Sequence, residues 1–185
     1  GLAYHTLGRY QQAIQDFDQA LRLRSDADSY YGRGLSYSAT GQTFRAIQDY
    51  DEAIGRSLKF LHTGSPQYFT YFFSRGLAYF NLGQYNEAIV DMNSAMGFDH
   101  PGAAEGLVLR GISYGQLGQS DLATQDLAPN EPAIEDLNLG FRLNPQVAQV
   151  HYLRGLAFLH LGQNLRSIPY FDEAIRLDPQ DPQAF

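Results

Sequence analysis

Four arginines stand immediately before a glycine in a recurring register: Arg33, Arg75, Arg110 and Arg154. Four aspartates recur in a register of their own. Asp16, Asp49, Asp91 and Asp126 each follow a small residue (Ala13, Ala46, Ala88, Ala123) by three positions. Two chemistries fit this pattern. A row of guanidinium groups can bind anionic ligands. Alternatively, each arginine pairs with an aspartate on a neighbouring helix, because the planar guanidinium fork matches a carboxylate. The second reading is favoured, since the aspartates recur together with the arginines. It gives the row a structural role: fixing repeat geometry more than adding stability. Tyr170 stands where the fifth aspartate would be, so Arg154 needs a different partner.

Other chemistry has little support. His5, His62, His100, His151 and His160 show neither His-x-x-x-His nor His-Glu-x-x-His spacing, so no metal site is expected. No serine lies in a Gly-x-Ser-x-Gly elbow, and no phosphate-binding glycine loop is present. Cysteine is absent, which removes disulfides, thiolate ligands and thiol catalysis. The carboxylates are scattered as ordinary solvation scatters them. No catalytic residue and no cofactor are expected. The balance of 13 basic against 20 acidic residues gives a net charge of -7, which repels phosphate backbones and argues against nucleic acid. No apolar run approaches the roughly 18 residues that cross a bilayer, so membrane insertion is not expected. The cytoplasm is the favoured compartment, although the lack of cysteine does not fix it.

The elements that position these residues come from an internal repeat. Gly1, Gly34, Gly76, Gly111 and Gly155 are each followed seven residues later by a second glycine: Gly8, Gly41, Gly83, Gly118 and Gly162. An aromatic lies between the two: Tyr4, Tyr37, Tyr79, Tyr114 or Phe158. Five residues after the second glycine comes a small residue, and four further on a large apolar one: Phe17, Tyr50, Met92, Leu127 or Phe171. Positions such as Tyr30, Gly34 and Tyr37 share one helix face. The second glycine ends the helix by taking positive φ. A second amphipathic helix follows, as in Tyr85, Ala88, Ile89, Met92, Ala95 and Met96. Each unit is a helix hairpin, and small residues let its two axes approach.

The stretch Gly76-Leu77-Ala78-Tyr79, Leu82-Gly83-Gln84-Tyr85 and Ala88-Ile89 resembles the tetratricopeptide repeat, whose period is 34 residues. The resemblance spans nearly the whole chain. It implies an all-α fold, a right-handed α-solenoid of stacked antiparallel hairpins. The implied arrangement is a single array with repeats near 1–25, 26–65, 66–100, 101–145 and 146–179, and the start of a further helix at 180–185. The chain is expected to be part of a longer array. The resemblance also implies a groove along the first helices that binds a peptide or helix of a partner protein. By helical phase the groove candidates are Tyr31, Leu35, Phe73, Leu77, Phe80, Val108, Ile112, Tyr152, Leu156 and Leu159. The same residues could instead pack between adjacent first helices. Self-association in a larger assembly, or service as a regulatory appendage of an enzyme encoded elsewhere, are the alternative functions.

Departures from the period carry their own expectations. Successive first glycines are 33, 42, 35 and 44 residues apart. The second unit gains its length by extending its second helix past Ile54. In the fourth, Pro129 and Pro132 break the second helix, with a restart near Glu131. Pro169 bends the last helix or shifts its start. The aromatic run Tyr68, Phe69, Tyr71, Phe72 and Phe73 cannot all face a single core; packing between repeats beside the long second helix is the favoured reading, and a partner or oligomer contact is the alternative.

Overall fold

A computed structural model describes residues 1–60, 66–96, 102–130, 134 and 147–179. Among these residues all regular structure is helical. The helices are α1 (Leu2–Thr6), α2 (Tyr10–Leu23), α3 (Ala27–Ala39), α4 (Thr43–Phe60), α5 (Pro66–Asn81), α6 (Tyr85–Ala95), α7 (Ala103–Gln116), α8 (Ser120–Leu127), α9 (Val147–His160) and α10 (Asn164–Leu177). They form five hairpins. Gly1–His100 makes one compact unit, α1 to α6, and Pro101–Phe185 makes a second, containing α7 to α10.

The hairpin turns are built identically. Gly8, Gly41, Gly83, Gly118 and Gly162 have φ between 70° and 74°, a left-handed conformation that only glycine adopts cheaply. At Gly83 the amide of Gln84 donates to the carbonyl of Tyr79, and the amide of Gly83 to that of Phe80, both at 2.9 Å. This closes the last carbonyls of α5 in a Schellman arrangement. Every second helix begins two residues after such a glycine. Elsewhere a side chain caps the helix: Asp26 Oδ1 accepts from the Ser29 amide at 2.9 Å and starts α3.

Packing follows from the first glycines. A Cβ placed on Gly34 would come within 2.7 Å of the buried Tyr50 ring, and one on Gly76 within 2.4 Å of Met92 Cε. Gly111 meets Leu127 and Gly155 meets Phe171 in the same way. The large residue of each second helix therefore fills the space a side chain on the first would need. In the first unit Leu35, Ala46, Ile47, Tyr50 and Ala78 form one core cluster, with Tyr31, Tyr37, Tyr79 and Leu82 packed on it. It joins α3 and α4 to the first helix of the next hairpin, α5.

The departures resolve in physical terms. α4 runs on to Phe60, so the second unit's extra length is partly helix. Any extension beyond Phe60 lies outside the described residues. α8 stops at Leu127 and passes into a 3-10 turn over Ala128–Asn130, where Pro129 falls. The restart near Glu131 lies outside the described residues, apart from the buried Ile134. Pro169 does not shift the start of α10, which begins two residues after Gly162 like its counterparts. The five aromatics of the α5 run are all buried, which agrees with the packing reading and leaves none of them on an open surface. Phe69 and Phe73 stack with centroids 5.4 Å apart, and Tyr31 meets Tyr71 at 4.8 Å.

Two glycines test this account in opposite directions. Gly83→Ala meets no atom but forces positive φ, and is expected to cost about 1–2 kcal/mol. Gly55→Ala, inside α4 with open space around it, is expected to stabilise by about 0.5–1 kcal/mol. Urea denaturation midpoints of the two variants decide the matter.

Candidate functional site

The arginine ladder is a set of bidentate pairs. Arg33 Nε donates to Asp49 Oδ2 at 2.8 Å and its Nη2 to Oδ1 at 2.6 Å. Arg75 binds Asp91 with the same two distances. Arg110 binds Asp126 at 2.7 Å through both nitrogens. Each pair joins the first and second helices of one hairpin. The remaining guanidinium nitrogen reaches further. Arg33 Nη1 donates to Asp18 on α2, and Arg75 Nη1 to Asp51 on α4, each at 2.6 Å. One arginine thus staples three helices, two from its own hairpin and one from the hairpin before.

Aromatic rings complete the holders. The Arg33 guanidinium carbon lies 5.5 Å from the Tyr30 ring centroid and 5.9 Å from that of Tyr37. Arg75 lies 5.3 Å from Phe72 and 5.9 Å from Tyr79. The bonds to Asp49 raise the Arg33 pKa against the pull of burial. Burial pushes the Asp49 and Asp91 carboxyls up, and the paired arginines pull them back. These arginines are committed to carboxylates within the chain, so they do not form an anion-binding row. Asp16 Oδ2 accepts from the amino group of Gly1 at 3.1 Å.

In the fifth hairpin Tyr170 stands at the aspartate position. Arg154 is buried, its Nε donates to the Ile134 carbonyl at 3.1 Å, and its guanidinium lies 5.8 Å from the Tyr170 ring. Tyr170 stacks on Phe158 at 5.5 Å, and Arg166 sits 4.1 Å from the Phe158 centroid. A shallow cleft of about 600 Å³ opens beside this stack, lined by His151, Leu165, Arg166, Pro169, Tyr170 and Glu173. His151 Nδ1 and His160 Nε2 are buried without hydrogen-bond partners, and burial lowers both imidazole pKa values, with Arg154 adding to the effect at His151. Among the described residues no three His, Asp or Glu side chains group as metal ligands, and no helix is long and apolar enough to cross a membrane.

The groove candidates separate by burial. Leu35, Phe73, Phe80, Val108, Ile112 and Leu156 are core residues, with Val108 and Ile112 wholly enclosed. This corrects their placement on an open face. In the first unit the reason is visible: Leu35 shares a cluster with Ala78 of the next first helix. Tyr31, Leu77 and Tyr152 are partly buried, and Leu159 is 43% exposed. Two hydroxyls tie α3 to α5 along this stripe. Tyr31 Oη lies 3.1 Å from Ser74 Oγ, and Tyr71 donates to Asp28 at 2.7 Å. Burial raises both phenol pKa values, so both remain neutral.

Family comparison agrees with this geometry. Two profiles described as tetratricopeptide repeat match the chain, one over residues 1–60 and the other over residues 31–104 and 133–182. The chain belongs to the tetratricopeptide repeat family. Its fold is the all-α tetratricopeptide solenoid class. Solved structures share that fold. MamA aligns over 96% of this chain and 94% of its own, with 18% identity and a TM-score of 0.60. YrrB, described as a TPR protein with an unusual peptide-binding site, aligns over 98% and 84% with 20% identity and a TM-score of 0.57. A Podosopora anserina kinesin light chain with nearly identical TPR-like repeats aligns over 96% and 91% with 18% identity and a TM-score of 0.65. No curated protein matches the sequence.

In this tetratricopeptide chain the two carboxylates on Arg33, and likewise the two on Arg75, differ sharply in exposure. Asp91→Ala strands a guanidinium that is largely buried, and is expected to destabilise by about 2–3 kcal/mol, below the full cost of an enclosed pair. Asp51→Ala, half exposed, is expected to cost about 0.5 kcal/mol. Chemical denaturation of the two variants measures the contrast.

Proposed function

We propose that the chain is a non-catalytic protein-interaction module that receives a peptide or an amphipathic helix of a partner along its first helices. Membership of a repeat family of interaction modules supports the general role. The observation that carries the specific reading is the set of apolar side chains left at least partly accessible on first helices: Leu77 in one unit, Tyr152 and Leu159 in the other. The buried members of the same stripe hold that surface rigid, so a partner meets it with little reordering cost. Apolar and aromatic anchors of this kind suit the hydrophobic face of a helix. The acidic balance of the chain favours a partner of neutral or positive charge.

The test is a display library of helical peptides selected on the chain, with amide chemical shifts mapping where the winners sit. Peptides are expected to bind with Kd near 1 μM, or about -8 kcal/mol. Peptides held by the first unit should perturb α3 and α5 and lose at least tenfold in affinity on Leu77→Asp, and peptides held by the second should perturb α9 and lose as much on Leu159→Asp, with far-UV circular dichroism unchanged. Winners that perturb only second helices would place the working surface elsewhere.

A further inference from the structure

The two first helices of the second unit meet without the ties seen in the first. Between α3 and α5 the hydroxyl bonds are Tyr31 with Ser74 and Tyr71 with Asp28. In the repeat register Tyr31 and Ser74 correspond to Val108 of α7 and Leu153 of α9, and Tyr71 corresponds to Val150 of α9. All three are buried apolar residues. Glu105, in the place of Asp28, is left buried with its Oε2 unpartnered. At these places packing holds α9 to α7 where the first unit uses hydrogen bonds.

One contact of this interface is titratable. Gly115 stands four residues after Gly111, where the other repeats carry His5, Ser38, Phe80 and Leu159. His160 stands five residues after Gly155, where they carry Thr6, Ala39, Asn81 and Gln116. Only here does a glycine notch on one first helix meet an imidazole on the next. The ring covers the notch: a Cβ on Gly115 would lie 2.5 Å from both Cγ and Cδ2 of His160. Nε2 is enclosed and has no hydrogen-bond partner. A neutral imidazole tolerates this, because one of its nitrogens carries only a lone pair. Protonation would put an N–H and positive charge there with no acceptor, which burial penalises.

Neighbouring charges do not offset that penalty. On α7 they are Glu105, about 15 Å along the helix, and Arg110, which is held by Asp126 of α8. On α9 the nearest are Arg154 and His151, six and nine residues away, and Arg166 of α10 lies over Phe158. Burial alone lowers the His160 pKa.

We propose that His160 is a proton-sensitive catch between α7 and α9: neutral, its ring seats in the Gly115 notch; protonated, it leaves the notch and frees the end of α9 that carries Leu159. Seating is at full strength above the ordinary imidazole pKa of about 6.5, and weakens as the pH falls from there through the lower value of the seated ring. The catch lies wholly within the second unit and does not depend on what the first helices bind.

Proton NMR titration from about pH 8 to about pH 5 tests this on the 185-residue chain and on the variants Gly115→Ala and His160→Phe. The His160 resonance, identified by its loss in His160→Phe, should titrate below about 6.5, and the Gly115 amide should shift with the same midpoint. Cross-relaxation between the Gly115 α protons and the His160 ring should fade over the same range. In Gly115→Ala, whose methyl fills the notch, His160 should titrate near its ordinary value while His151 keeps its own midpoint. In His160→Phe a ring remains without the proton, so the Gly115 amide should show no step. A His160 midpoint at the ordinary value in the unaltered chain, a midpoint unmoved by Gly115→Ala, cross-relaxation that persists at the acid end, or a Gly115 step that survives in His160→Phe overturns the proposal. Should Gly115→Ala fail to fold, the Gly115 amide in the unaltered chain against that in His160→Phe decides the matter.

Discussion

The whole arrangement depends on a steric constraint repeated five times. A first helix can lie close to its second helix only where the residue facing the partner's large side chain has none of its own. Gly1 faces Phe17, Gly34 Tyr50, Gly76 Met92, Gly111 Leu127 and Gly155 Phe171. The large residue varies in shape among phenylalanine, tyrosine, methionine and leucine, while the glycine does not vary. Interiors packed at crystal-like density respond to single methyl groups, so this is where the fold is least tolerant.

Close approach brings the rest of the chemistry within reach. With the axes near each other, an arginine one residue before the glycine meets an aspartate on the second helix in bidentate geometry. Its third contact, to Asp18 or Asp51, fixes the angle to the preceding hairpin. The rings on either side of the guanidinium shield these bonds from water, which strengthens them. Charges that could have bound a ligand are thereby used for architecture. The recognition proposed above draws instead on apolar side chains of the first helices.

Much of this could be read from the residues, and the failures share one cause. Glycine spacing fixed the hairpins, the turn at Gly83 and the facing of Gly76 on its partner helix, because these are local or depend on residue size alone. Pairing of Arg75 with Asp91 followed from their common period. The second carboxylate on Arg33 and on Arg75 was missed, although Asp16 and Asp18, and Asp49 and Asp51, stand in a visible two-residue pattern. Helical phase places Leu35 and Val108 on the same stripe as Leu159, but phase says only which way a side chain points. Whether a neighbouring helix then closes over it is a tertiary fact. The density of rings on α5 did signal packing, and all five are buried. Pro169 falls inside α10 without moving its start, since the glycine turn before it had already set that position.

The steric constraint is tested most directly by a double-mutant cycle between Gly76→Ala and Met92→Val. Met92 Cε is the atom nearest to where the new methyl would sit, and valine does not reach that far. The account predicts that Gly76→Ala destabilises the chain by about 1 kcal/mol or more when methionine is present. With Met92→Val already in place it should be neutral or stabilising, giving a coupling of about 1 kcal/mol or more. Equal costs in the two backgrounds would contradict it, because the glycine would then be required for something other than the side chain it faces.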